Sequence, residues 1–190
     1  MINLHYFSSD NCPIDIRNQI VRLIKNEWPN TFKVNEPDWP LESLSLFPIS
    51  LVYIENDNVI SHALISRTQI YISNRCYTAF GLGSMVTKQQ FRRKGYGRIL
   101  FKNVTEYMNN EKADIGIFTC DPELISFYNC IGWDITKSSP LIGGSIEKPF
   151  PSTQINKVTL IQLFSDAAKV EKNNILKKPI FIELGEGKLW

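Results

Sequence analysis

The most informative segment of this 190-residue chain is SMVTKQQFRRKGYGRIL, residues 84–100. An apolar strand pattern ends near Thr87, a short basic loop follows, and Gly95 and Gly97 open a segment with helical spacing. Glycine lets the backbone turn sharply. A helix N-terminus adds unpaired amide groups and about half a positive charge, so the turn suits an anion.

Cationic side chains crowd the same turn. Arg92, Arg93, Lys94 and Arg98 suit a pyrophosphate together with a ribose 3'-phosphate better than they suit a single carboxylate. Neither GxGxxG after an early strand nor GxxxxGK followed by Ser or Thr occurs, which excludes a dinucleotide fold and a P-loop. Taken alone, the pattern also describes a solvated helix start.

The rest of the chain mixes strand and helix patterns. Strands are predicted at residues 3–7, at three places within 49–87, and at 115–119, 158–164 and 179–184. Helices are predicted before Trp28, after Gly97 and from Pro122 to Gly132, and a loop-rich segment covers residues 28–48. These patterns predict an α/β fold whose mixed, mostly antiparallel sheet has about seven strands flanked by helices. We expect one domain over residues 1–190.

Composition excludes several classes of protein. The hydrophobic fraction is 43%, the charged fraction is 21% and the formal net charge is +2, so we expect no nucleic-acid or membrane partner. No basic region followed by an apolar stretch begins the chain, and no CxxC pair lies near a histidine. We therefore expect a cytoplasmic protein with reduced cysteines and without a metal site.

Two ordered motifs resemble those of the GCN5-related N-acetyltransferases. Arg92, Gly95 and Gly97 match that family's acetyl-CoA motif, which is Arg or Gln, two residues, Gly, one residue, and Gly or Ala. Downstream, LISFYNCIGW resembles its second signature through Tyr128, Gly132 and Trp133. The resemblance implies an acyltransferase with acetyl-CoA as co-substrate. The implied cofactor-binding residues are Met85, Val86, Thr87, Arg92, Arg93, Lys94, Gly95, Tyr96, Gly97 and Arg98.

The same resemblance implies the catalytic roles. In the family, the signature tyrosine lies beside the CoA sulfur, and a phenol of pKa ~10 can protonate a thiolate whose conjugate acid has a pKa near ~8.5. Tyr128 is thus the predicted general acid, and the backbone amides of Met85 to Thr87 are predicted to stabilise the oxyanion. The acceptor amine would attack the thioester directly, without a covalent intermediate.

Over nearly the whole chain, the layout is most similar to the aminoglycoside 2'-N-acetyltransferases. The shared features are the pair Asp38 and Trp39, His62, the string RRKGYG, a strand at residues 158–163 and Trp190. This resemblance implies a small-molecule amine as acceptor and a homodimer. The implied substrate-binding residues are Asp38, Trp39, Gly83 and Trp190.

Three departures concern the acceptor. Gly83 stands where the resembling enzymes have a carboxylate, and Lys33 and Lys188 replace acidic residues, which disfavours a polycationic aminoglycoside. The general base stays open among Asp38, Glu123, His62 and an ordered water chain. A transferase of longer acyl chains and a CoA-binding sensor without catalysis are the alternative functions.

Overall fold

The computed structural model describes residues 2–30, 32, 38–136 and 139–190. The strands are β1 (Ile2–Ser8), β2 (Ile49–Glu55), β3 (Asn58–Ile72), β4 (Arg75–Thr87), β5 (Ile115–Cys120), β6 (Asp134–Ile135), β7 (Leu141–Gly144), β8 (Pro149–Pro151), β9 (Val158–Leu163) and β10 (Ile180–Phe181). The α-helices are α1 (Ile14–Glu27), α2 (Tyr96–Asn110), α3 (Ile125–Asn129), α4 (Asp166–Val170) and α5 (Lys172–Ile175). Short 3-10 turns cover Leu44–Leu46, Gln89–Phe91, Pro122–Leu124 and Ser152–Ile155.

A seven-stranded sheet in the order β1-β2-β3-β4-β5-β9-β6 organises these elements. The pairs β1–β2, β2–β3, β5–β9 and β6–β9 are antiparallel, whereas β4 and β5 run parallel over Ala79 to Gly81. A second sheet has the order β10-β7-β8. This mixed, mostly antiparallel architecture with flanking helices confirms the predicted fold class.

Within this architecture, the chain groups into two compact units. The first unit comprises Met1–Arg67 and Leu82–Val104, and the second comprises Thr68–Gly81 and Thr105–Trp190. The expectation of one domain over residues 1–190 stays a prediction.

In the first unit, helices cover both faces of the strands. Ile20 and Ile24 of α1 are buried against Val52 of β2, because a spacing of four residues places both isoleucines on one helix face. The next residue of β2, Tyr53, donates its hydroxyl hydrogen bond to Asn103 of α2 at 2.7 Å. Neighbouring strand residues point to opposite faces, so α1 and α2 lie on opposite sides of β2.

In the second unit, β5 is the central strand. It pairs with β9 over its whole length, from Ile115 with Leu163 to Cys120 with Val158. Phe118 and Trp133 are buried there with their ring centroids 4.9 Å apart. Gly116 permits this packing, because a Cβ on it would lie 2.5 Å from the Trp133 ring.

The structure differs from the prediction near the end of the chain. The strand predicted at residues 179–184 is shortened to Ile180–Phe181 and belongs to the three-stranded sheet. The seventh strand of the main sheet is instead the two-residue β6. Strands this short carry too few residues to show a period of two in the sequence.

Candidate functional site

The predicted cofactor turn follows β4 directly. The Lys88 amide donates to the Ile60 carbonyl at 2.8 Å, which ends the strand pairing, and the 3-10 turn Gln89–Phe91 follows. The Phe91 amide then donates to the Lys88 carbonyl at 2.8 Å, and the Arg92 amide to the Gln89 carbonyl at 3.1 Å. The turn is thus a defined structure and not an extended loop.

Two residues of the turn have left-handed backbone. Arg93 has φ +60° and Gly95 has φ +88°, and the glycine has open space where a Cβ would point. Helix α2 begins at Tyr96, and its first hydrogen bond runs from the Ile99 amide to the Gly95 carbonyl at 3.1 Å. The amides of Tyr96, Gly97 and Arg98 therefore have no acceptor within the helix, as at any helix start.

The cations of the turn fall into two groups. Arg93, Lys94 and Arg98 are exposed and form no ion pair with another described residue. Arg92 instead pairs with Glu27 at the end of α1 and donates from Nε to the Thr87 carbonyl at 2.9 Å. Three cations beside free helix amides are a donor set that fits the phosphates of an acyl-CoA.

The end of β4 is held by side chains. Ser61 of β3 donates from Oγ to the Val86 carbonyl at 3.0 Å and lies 2.8 Å from Thr87 Oγ1. Val86 is buried with Ile20 and Ile24, whereas Met85 and Thr87 are partly exposed. The three predicted oxyanion residues thus lie on a strand end with a fixed backbone.

Tyr128 lies on α3 in the second unit. Its ring is 7% exposed and packs edge-to-face against Phe118 at 4.8 Å between centroids. Burial raises the pKa of the Tyr128 phenol above its usual value, with smaller contributions from Cys120 and Asp121. Tyr128 therefore keeps its proton at neutral pH, as a general acid must.

The other parts of the second signature are structural. Gly132 has φ +88° at the end of the turn after α3. Trp133 is buried, and its Nε1 donates to Thr105 Oγ1 at 3.0 Å. Trp133 is thus a core residue that anchors the chain beside α2.

Trp190, a predicted substrate residue, is 4% exposed and packs directly over Gly81. Its carbonyl oxygen accepts from Thr119 N at 2.8 Å and from Thr119 Oγ1 at 2.5 Å. The Thr119 amide lies two residues past Ile117, the last β5 residue paired with β4. The indole Nε1 is buried without a hydrogen-bond partner among the described residues.

The remaining predicted substrate residues lie in the first unit and already have partners. Asp38 pairs with Lys25 at 2.6 Å, and Trp39 donates from Nε1 to the Ser9 carbonyl at 2.9 Å while packing against the core beneath α1. Gly83 lies against Leu64. Lys33 lies outside the described residues, and Lys188 is exposed.

The candidates for the general base differ in accessibility. His62 is fully buried, with Nε2 3.1 Å from Ser50 Oγ, and burial lowers its pKa to about 3. A buried group with that pKa is a poor acceptor for the proton of an alkylammonium ion. Glu123 is exposed, and the Asp38 carboxylate is engaged with Lys25.

The sequence did not predict the contacts made by Glu27, Ser61 and Thr119. No sequence pattern indicated a role for Glu27, because a glutamate at the end of a helix is common on protein surfaces. Its partner Arg92 is 65 residues away. Ser61 and Thr119 hold backbone at the ends of β4 and β5 through contacts with residues 25 and 71 positions away in the sequence.

Among the described residues, no group of three His, Cys, Asp or Glu side chains could hold a metal ion. In the same part of the chain, no helix combines the length and apolar character needed to cross a membrane.

Solved structures share this fold at low sequence identity. ElaA from Escherichia coli superposes with a TM-score of 0.62 and 13% identity, covering 85% of this chain and 99% of its own. YhbS from Escherichia coli, a GNAT family N-acetyltransferase in complex with CoA, gives 0.61 and 14%, with coverages of 95% and 90%. An aminoglycoside 6'-N-acetyltransferase complexed with coenzyme A gives 0.59 and 11%, with coverages of 86% and 97%.

Sequence comparison identifies the family. No curated protein sequence matches this chain significantly. The profile of the acetyltransferase (GNAT) domain, however, matches residues 22–136, which is more than half of the chain and includes the whole cofactor turn. This match confirms the predicted acyltransferase and agrees with acetyl-CoA as its co-substrate. The chain therefore belongs to the GNAT family of acetyltransferases.

Proposed function

We propose that this protein is an acetyl-CoA-dependent N-acetyltransferase that acts on a primary amine of a small molecule. The cofactor turn carries the proposal, because it combines the exposed cations Arg93, Lys94 and Arg98 with the free amides at the start of α2. A pyrophosphate bound there would be contacted by charged side chains and by the positive end of the helix.

The proposed chemistry uses backbone amides and one phenol of this chain. Bound acetyl-CoA would supply an acetyl group activated as a thioester. The backbone amides of Met85 to Thr87 would donate to the carbonyl oxygen as the amine attacks and that oxygen gains charge. Tyr128 would then give its proton to the departing thiolate, and the amine nitrogen would lose a proton through an ordered water chain to solvent. The phenol would regain a proton from solvent, which leaves an amide and a free thiol.

For the acceptor, we propose a small amine with few positive charges and not an aminoglycoside. The aminoglycoside 2'-N-acetyltransferase resemblance rests partly on Asp38 and Trp39, yet Asp38 is paired with Lys25 and Trp39 donates to a backbone carbonyl. Gly83 supplies no carboxylate, and its neighbour is the apolar side chain of Leu64. These residues offer a polycation little uncompensated negative charge.

Calorimetric titration with CoA tests the cofactor site. In Gly97→Glu, a carboxylate at the start of α2 would repel the phosphates, while a helix N-terminus tolerates an acidic side chain. The matched control is Asn110→Glu, which adds the same charge to the last residue of the same helix. We expect binding to be lost in Gly97→Glu and retained in the control, with native circular dichroism spectra for both.

The remaining outcomes separate the alternative functions. Failure of the native protein to bind CoA would refute the proposal. Binding of CoA without thiol release across a panel of amines would indicate the sensor. Faster thiol release with longer acyl-CoAs than with acetyl-CoA would indicate a longer-chain acyltransferase.

The single domain over residues 1–190, the homodimer and the cytoplasmic location also remain proposals. The first rests on the length of 190 residues, the second on the resemblance, and the third on the pattern of the four cysteines. Sedimentation equilibrium of the purified chain would test the homodimer directly.

A further inference from the structure

We propose that Glu27 is a positioning residue of the cofactor turn. Acting through Arg92, it ties the end of α1 to the end of β4 and thereby fixes the conformation in which the turn presents its amides and cations. This inference rests on the proposed function, since Glu27 can affect the cofactor only if the turn binds it.

Two different N–H groups of Arg92 make the connection. Nε donates to the Thr87 carbonyl at 2.9 Å, and Nη2 donates to Glu27 Oε2. Both partners belong to regular structure, because Thr87 is the last residue of β4 and Glu27 is the last residue of α1. A planar guanidinium with two fixed acceptors has one orientation, which a lysine ammonium would not have.

The turn needs such a restraint just after Arg92. The Arg92 amide donates to the Gln89 carbonyl, and the next backbone amide along the described chain that donates to a backbone carbonyl is that of Ile99, to Gly95. Arg93 has φ +60° within this interval, a left-handed conformation that is unfavourable for a residue with a Cβ. Arg92 is therefore the last residue held by both a backbone hydrogen bond and an ion pair before the strained Arg93. Further along, Lys94 lies 5.4 Å from the Phe91 ring centroid, and Phe91 packs edge-to-face against Tyr96.

Packing against α1 does not hold the start of the turn. A solvent-open cleft of about 410 Å³ lies between the last turns of α1 and the 3-10 turn that leads into the cofactor turn. Its lining residues are Leu23, Asn26, Glu27, Lys88, Gln89, Gln90 and Arg92. The Arg92–Glu27 ion pair connects α1 to the turn across this cleft. Removal of the ion pair would therefore leave the turn free to move toward the helix.

This assignment also changes the role predicted for Arg92. The first residue of the motif uses its guanidinium within the protein, which leaves phosphate contacts to Arg93, Lys94 and Arg98. Loss of Glu27 should therefore weaken cofactor binding, although it removes a negative charge near a site for anions. Simple electrostatics predicts the opposite sign, so the direction of the change separates the two explanations.

The test is a double-mutant cycle on the calorimetric Kd for CoA. We expect Glu27→Gln to weaken binding about tenfold, and to have almost no further effect when Arg92→Gln is already present. The control is Lys25→Gln, which breaks the Lys25–Asp38 pair on the same helix. That pair has a similar exposure, 44% and 41%, against 44% and 35% for Arg92 and Glu27. Lys25→Gln should leave CoA binding unchanged.

Kinetics and a second variant complete the test. Glu27→Gln should raise the KM for acetyl-CoA while kcat at saturation stays within about twofold, because the chemical groups are untouched. Arg92→Lys keeps the charge but cannot donate to both partners in the same geometry, so it should weaken binding to a similar extent. Circular dichroism establishes that each variant is folded.

Three results would overturn the inference, and each differs from failure of the proposed function. Unchanged or tighter CoA binding by Glu27→Gln would remove Glu27 from the site. Additive effects of Glu27→Gln and Arg92→Gln would show that Glu27 does not act through Arg92. A fall in kcat alone would contradict a role in cofactor binding. Absence of CoA binding by the native chain would instead refute the proposed function itself.

Discussion

Gly81→Ala should destabilise the protein, because the Trp190 indole occupies the space that a side chain would need. An ideal Cβ on Gly81 would lie 1.9 Å from Cδ2 and 2.1 Å from Cε3 of that ring. Carbon atoms pack at about 3.5 Å or more, so the indole must retreat by roughly 1.5 Å. The backbone carbonyl of Trp190 accepts a hydrogen bond from Thr119, and the residue is only 4% exposed. The indole therefore has little freedom for that movement.

The expected cost follows from two opposing terms. Overpacking in a core costs about 1–3 kcal/mol, and an alanine recovers about 0.4–1 kcal/mol by restricting the unfolded chain. We therefore expect a net loss of about 1–2 kcal/mol in the free energy of unfolding, measured by urea denaturation with far-ultraviolet circular dichroism.

Gly83→Ala is the matched control within the same strand. A Cβ there would lie 3.3–3.6 Å from the Leu64 side chain, which needs only a small adjustment. We expect its free energy of unfolding to change by less than about 1 kcal/mol. In a Trp190→Ala background, the cost of Gly81→Ala should disappear, because the colliding ring is gone. Equal losses at the two glycines, or an undiminished cost without the indole, would refute the reasoning.

Two further predictions concern titratable groups. Tyr128→Phe should lower kcat by about tenfold or more with an unchanged Kd for CoA, and an unchanged kcat in steady-state assays would remove Tyr128 as the acid. The folded pKa of His62 is lowered to about 3 from 6.5, so its neutral form contributes stability above pH 6.5 that is lost as the pH falls toward 3. Urea denaturation should show the free energy of unfolding falling by up to about 1.4 kcal/mol per pH unit there, with a shallower slope in His62→Gln; an equal slope would contradict the assignment.

Local patterns predicted most of the architecture and the position of the cofactor turn. Helices α1 and α2 show their apolar spacing within a few turns, and β2 to β5 are long enough to show strand character. Gly95, which has φ +88°, and the cations beside it are neighbours in the chain, so the sequence alone predicts the turn.

Contacts between distant residues could not be predicted in the same way. The strands β6 to β8 have two to four residues each and are strands only because their partners lie alongside. Nothing near Arg92 indicates that its guanidinium is bound to Glu27, and nothing near Gly81 indicates that Trp190 covers it. Local and periodic signals in the chain were therefore enough to predict the family, most of the main sheet and the position of the cofactor turn. Folding was needed to show which charged groups are unpaired and which hold the backbone, because partners such as Arg92 and Glu27 are 65 residues apart and meet only in the tertiary structure.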